Sequence, residues 1–149
     1  PDLPSLFVSV QRCTLGTMRL VVPIARTLLG LVFVVFGLNF FFHFLPMPPM
    51  EGAPAAFMGA LFATGYMFPL IKVTEIVGGL MLLSGRFVPL GLLLLAPILV
   101  NIAAFHVFLT PGEVGMSAVL VALEAFLAWS YRDSFRGVLD PNAVPGDRR

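Results

Sequence analysis

Long apolar runs separated by short polar breaks dominate the chain. A helix needs about 20 predominantly apolar residues to cross a hydrocarbon core of roughly 30 Å. Four runs meet or approach that length, over about 20–45, 66–84, 87–110 and 114–131. Arg26 is the only formal charge in the first, and Lys72 and Glu75 interrupt the second. The third holds no Asp, Glu, Lys or Arg, and the fourth only Glu124. Apolarity within each run is continuous, whereas the strands of a membrane barrel alternate every second residue. In lipid a helix satisfies all its own backbone groups. The pattern therefore predicts an all-α polytopic membrane protein, built as an antiparallel four-transmembrane-helix bundle.

Proline and glycine divide the runs. Pro23, Pro69 and Pro89 fall in the first turn of an expected span, where the missing N–H has no intrahelical partner to lose. Pro97 lies mid-span and should free the Leu93 carbonyl and kink the third helix. Ser84-Gly85-Arg86 and Thr110-Pro111-Gly112-Glu113 are tight connections, which makes the last three spans sequential antiparallel neighbours. The one long connection, Pro46 to Gly65, opens on Pro46-Met47-Pro48-Pro49-Met50. Its apolar piece Ala55 to Ala63 is too short to span and predicts a short interfacial helix between helices 1 and 2. Residues 18–138 then form the membrane domain. Residues 1–17 read as an irregular N-terminal extension and 139–149 as a frayed cytoplasmic tail. Leu6 to Val10 is too short for a secretory h-region, and no basic residue precedes it.

Composition narrows the class further. The chain is 58% hydrophobic and 11% charged, against about 25% charged in soluble domains. A net charge of +1 without a clustered basic face argues against a nucleic-acid partner. Cys13 is the only cysteine, which excludes a disulfide framework, and two histidines exclude an all-histidine metal site of three ligands. Arg12 and Arg19 precede the first span, Arg86 lies between the second and third, and Arg132 and Arg136 follow the fourth. The two remaining connections carry only Glu51 and Glu113. Basic loops face the cytoplasm, so the expected placement is a bacterial inner membrane with both termini cytoplasmic.

From Arg26 to about Val138 the chain resembles the DoxX family of small four-helix bacterial membrane proteins. The likeness rests on Arg26-Thr27-Leu28-Leu29-Gly30 leading to Phe36-Gly37, and on Glu75-Ile76-Val77-Gly78-Gly79. Gly85-Arg86 and the pair Asn101 and His106 add to it. Many relatives have Lys where this chain has Asn39-Phe40. The resemblance implies an inner-membrane protein, with some relatives linked to sulfur or thiol oxidation and quinone reduction.

Ionisable and amide groups inside spans mark the candidate site, because each charge costs roughly 2.5–3.5 kcal/mol at the bilayer centre on insertion scales. At about 1.5 Å per residue, Asn39, His43, Lys72, Glu75, Asn101 and His106 all fall in the outer half of the bundle. Glu124 lies near mid-membrane. Lys72 and Glu75 are three apart and can meet. One reading makes these groups structural: the Lys72–Glu75 pair self-neutralises, Asn39 and Asn101 bond between helices, and the histidines reach the interface. A second makes them a quinone pocket, with Phe40, Phe41, Phe42 and Phe44 as an aromatic wall around His43. There Glu75, His106 and His43 would be the reactive groups, and Asn39, Lys72, Asn101 and Glu124 would bind. A third is a proton- or ion-conducting path through Glu75 and Glu124. A non-catalytic scaffold, or an accessory subunit of another membrane or redox protein, fits the same pattern.

Metal and haem rank lower. His43 and His106 from two helices meet only the minimum for bis-histidine haem, and no ligand spacing singles out a zinc site. Arg26 is expected to snorkel to the headgroups. Gly30 and Gly37 on its face, with the small-residue pairs Thr74/Gly78 and Ala118/Ala122, are expected at helix contacts.

Overall fold

The computed structural model describes residues 3–46, 49–136 and 138. Five α-helices follow in order: α1 (Leu3–Phe42), α2 (Gly52–Ala63), α3 (Met67–Ser84), α4 (Val88–Phe108) and α5 (Val114–Ser130). Short 3-10 turns occupy Pro111–Glu113 and Arg132–Phe135, and no strand occurs among the described residues. Leu20–Phe42, Met67–Ser84, Val88–Phe108 and Pro111–Ser130 are each long and apolar enough to cross a membrane. The chain is an integral multi-pass membrane protein whose outer faces contact lipid.

The four long helices pack as a ring in the order α1, α3, α4, α5, with α5 closing back on α1. Lipid is as apolar as leucine, so close packing must hold such a bundle together. Glycine permits the tightest approach here. A Cβ on Gly30 would lie 2.8 Å from the Gly79 carbonyl oxygen, and one on Gly79 would lie 2.8 Å from the Gly30 oxygen. Farther along, Gly37 meets Ile76 and Lys72, so α1 and α3 run antiparallel. Gly78 meets Leu95 and Gly91 meets Gly78 and Met81, which sets α3 against α4 in the same sense. Leu29, Leu82, Leu95 and Leu127 are fully buried at the centre, one from each long helix. The ring thus has a terminal end, with the Gly85 turn, and a loop end, with α2 and the Thr110–Glu113 connection.

Several expectations are revised. The expected irregular stretch over 1–17 is helical from Leu3, because α1 runs unbroken from there to Phe42. Pro23 consequently lies inside α1 and forfeits one i→i−4 bond, whereas Pro69 and Pro89 do sit in first turns. Pro97 lies inside α4, as its mid-span position predicts. α2 starts at Gly52, slightly earlier than the apolar pattern suggests. α1 stops at Phe42, so His43 lies beyond the helix at φ 52° rather than inside the span. Ala118 and Ala122 are exposed on α5. The tail expected over 139–149 lies outside the described residues.

Arg26 reaches the end of the bundle at the α3–α4 turn. Its guanidinium covers the turn at Gly85, where a Cβ would lie 2.5 Å from Nη1, and its Nε is buried with no partner among the described residues. Gly85 has φ 71°, so both backbone strain and lack of space favour glycine there.

Candidate functional site

At the loop end α2 lies across the bundle as a roof. It is apolar, buries none of its residues fully, and is held by aromatic contacts to three long helices. Phe62 stacks on Phe68 of α3 with ring centroids 4.0 Å apart, and on Phe40 of α1 at 6.0 Å. Phe57 meets Phe105 of α4 at 5.7 Å. Glycine brackets the roof, since Gly52 and Gly65 both take left-handed φ values.

Beneath α2 is a cavity of about 1140 Å³. Its walls are largely apolar and aromatic, with Phe33, Phe36, Phe57, Phe68 and Phe105 among them. Drug-sized ligands occupy pockets of about 300–1,000 Å³ lined in this way, with a few placed polar groups. Those groups are present. Lys72 Nζ donates to both carboxylate oxygens of Glu75, at 3.0 Å to Oε1 and 2.9 Å to Oε2. The Glu75 side chain is 3% exposed and that of Lys72 20%. Both occupy successive turns of α3 on the cavity side. His106 Nδ1 lies 2.8 Å from the Ile102 carbonyl oxygen. A carbonyl only accepts, so Nδ1 carries the hydrogen, and in that neutral tautomer Nε2 is the acceptor nitrogen. Thr110 adds a buried hydroxyl without a partner among the described residues, and Asn101 adds an amide.

The cavity therefore joins four of the seven sequence candidates: Lys72, Glu75, Asn101 and His106. Three stand apart. Asn39 is buried, but its amide closes the end of its own helix, with Leu45 N–H donating to Oδ1 at 2.6 Å and Nδ2 donating to the Leu45 carbonyl at 3.3 Å. It thus makes a local cap, where one reading had an interhelical bond and another a pocket-lining group. His43 is exposed past the end of α1 and does not line the cavity. The aromatic wall expected around it is also displaced: Phe41, Phe42 and Phe44 are exposed, and Phe40 supports the roof. Glu124 lies one turn below the cavity-lining Leu120, 8% exposed, with Oε2 unpartnered among the described residues. No group of three or more His, Cys, Asp or Glu able to hold a metal occurs among the described residues.

The sequence reading missed Thr110, Ser117, Glu51 and Glu113 as lining residues. Glu51 and Glu113 were visible as the loop acids between spans. Their position at the cavity mouth depends on α2 folding inward, which no local pattern encodes.

A protein-family model, DoxX, matches residues 21–108, more than half of the chain. No curated protein matches the chain. No solved structure matches it either.

Proposed function

The chain belongs to the DoxX family, and from that premise and the cavity under α2 we propose a redox-associated membrane component that binds a quinone-like lipophilic carbonyl compound. The observation that carries this reading is the convergence of Lys72, Glu75, Asn101 and His106 on one large aromatic-walled cavity within a lipid-embedded bundle. The residues fit such a ligand. Asn101 and the Thr110 hydroxyl can donate hydrogen bonds to a headgroup carbonyl, while His106 Nε2 can accept one from a hydroxyl. Glu75, oriented by Lys72, can hold or release a proton beside it. The phenylalanine walls and the α2 roof give the headgroup a largely apolar surrounding. A bound quinone supplies reversible two-electron carbonyl chemistry, and the protein supplies position and a proton.

Gentle solubilisation followed by unbiased lipid and cofactor analysis is expected to recover quinone in near-stoichiometric amount. A quinone-free preparation that carries another membrane subunit overturns this reading in favour of an accessory role. Proton conduction is the second reading, favoured by the unpartnered Glu124 carboxylate under the cavity floor.

We further propose that the protein sits in a bacterial inner membrane with both termini cytoplasmic and the cavity in the periplasmic half. The basic residues Arg86, Arg132 and Arg136 at the terminal end, against Glu51 and Glu113 at the loop end, support this orientation. A cytoplasm-only reporter fused after Arg136 should be active and a periplasm-only reporter silent. The reverse result inverts the topology.

A further inference from the structure

We propose that the cavity selects an uncharged headgroup on a long apolar tail and rejects anions, sulfur oxyanions included; this rests on reading the cavity as a ligand site. The argument is a charge inventory. Lys72 is the only Lys or Arg among the described residues that line the cavity, and both oxygens of Glu75 already occupy its ammonium. The mouth adds Glu51 and Glu113, both exposed and neither in a salt bridge among the described residues. Three carboxylates against one ammonium leave a formal charge of −2 on the lining. The arginines with described side chains, Arg26, Arg86, Arg132 and Arg136, all belong to the terminal end, remote from the mouth.

Helix N-termini are the other common source of anion attraction. Those of α2 and α5 both open at this mouth, yet Glu51 and Glu113 are their N-cap residues. Neither side chain makes a cap hydrogen bond, so each acts there as a fixed negative charge. The two sites that would attract an anion are thus already supplied with one.

The tail has a route. Phe36 of α1 and Met116 of α5 both line the cavity and are 46% and 66% exposed. Both belong to membrane-crossing helices, so an apolar chain leaving the cavity between α1 and α5 would pass into the bilayer.

The test compares probes of matched tail: decyl-benzoquinone and decanesulfonate. Each is partitioned at low salt into zwitterionic nanodiscs with or without the full-length protein. Wild-type discs should take up excess quinone over empty discs and several-fold less sulfonate. Two unit charges at about 10 Å in water weaken an anion's binding about fourfold. Glu51→Gln with Glu113→Gln should therefore raise sulfonate uptake by about that factor, leave quinone uptake unchanged, and lose the difference at high salt. Sulfonate binding as tight as quinone in the wild type, or unchanged in the double variant, overturns the charge selection while leaving the ligand site standing. Absence of excess uptake for either probe overturns the ligand site itself, and the selection with it.

Discussion

Gly79→Ala is expected to destabilise the bundle by about 1–3 kcal/mol, the usual range for overpacking a filled interior. The added methyl would sit 2.8 Å from the Gly30 carbonyl oxygen and 3.2 Å from the Val34 backbone nitrogen. Backbone atoms cannot rotate aside as a leucine terminus can, so α1 and α3 must separate. In lipid that separation removes the packing that holds the helices together. Gly30→Ala should behave alike. Because the two glycines touch, the double variant should fall short of the summed single effects. Gly59→Ala is the control: a Cβ there meets nothing within 4 Å, and alanine gains up to about 1 kcal/mol over glycine in a helix. Thermal unfolding in detergent, followed by helical circular dichroism, reads all four variants. Equal midpoints for Gly79→Ala and Gly59→Ala would remove the α1–α3 contact as the organising interface.

Lys72→Met is expected to be more harmful still, at about 3–5 kcal/mol, the cost of stranding one partner of a buried ion pair. The two partners are unequal. Glu75 is 3% exposed and Lys72 20%, so removing the lysine leaves the more deeply buried charge without its counter-ion. Glu75→Gln should cost less, since the lysine ammonium can reach toward the cavity mouth on its flexible stem. Lys72→Met combined with Glu75→Gln should recover most of the lost stability, because replacing both members of a buried pair is often nearly neutral. Quinone retention separates the roles. Recovery of both stability and bound quinone in the double variant makes the pair structural, while recovery of stability alone assigns Glu75 to the ligand. A wild-type melting profile for Lys72→Met would show that the pair contributes nothing to the fold.

What could be read locally was read well. Four membrane-length helices, their antiparallel order and a short helix between the first two follow from run length, continuous apolarity and short connections, and the structure has all of them. The Lys72–Glu75 contact follows from i,i+3 spacing on one helix. The failures share a cause. His43 was placed within a span because the apolar run continues to Leu45, but Asn39 closes α1 early by folding its amide onto Leu45. Glu124, expected near mid-membrane, lies a turn below the cavity-lining Leu120 and outside the lining itself. Depth along a helix comes from counting residues; direction around it depends on neighbours.

The sequence by itself determined that this is a multi-pass α-helical membrane protein of the DoxX family, because membrane insertion depends on summed hydropathy over about 20 residues and is a local property. It also determined which glycines were available for close approach. Tertiary structure alone decided which of them were used: Gly30, Gly37, Gly78 and Gly79 at helix contacts, with the small pair Ala118/Ala122 left exposed. It alone decided that α2 turns inward over the loop end and that Phe57 and Phe62 anchor it there. The convergence of Lys72, Glu75, Asn101 and His106 on one cavity follows from that turn. The physical reason is that a cavity is the space left between elements. Its contents depend on long-range packing of side chains from four helices and a roof, which no stretch of sequence carries on its own.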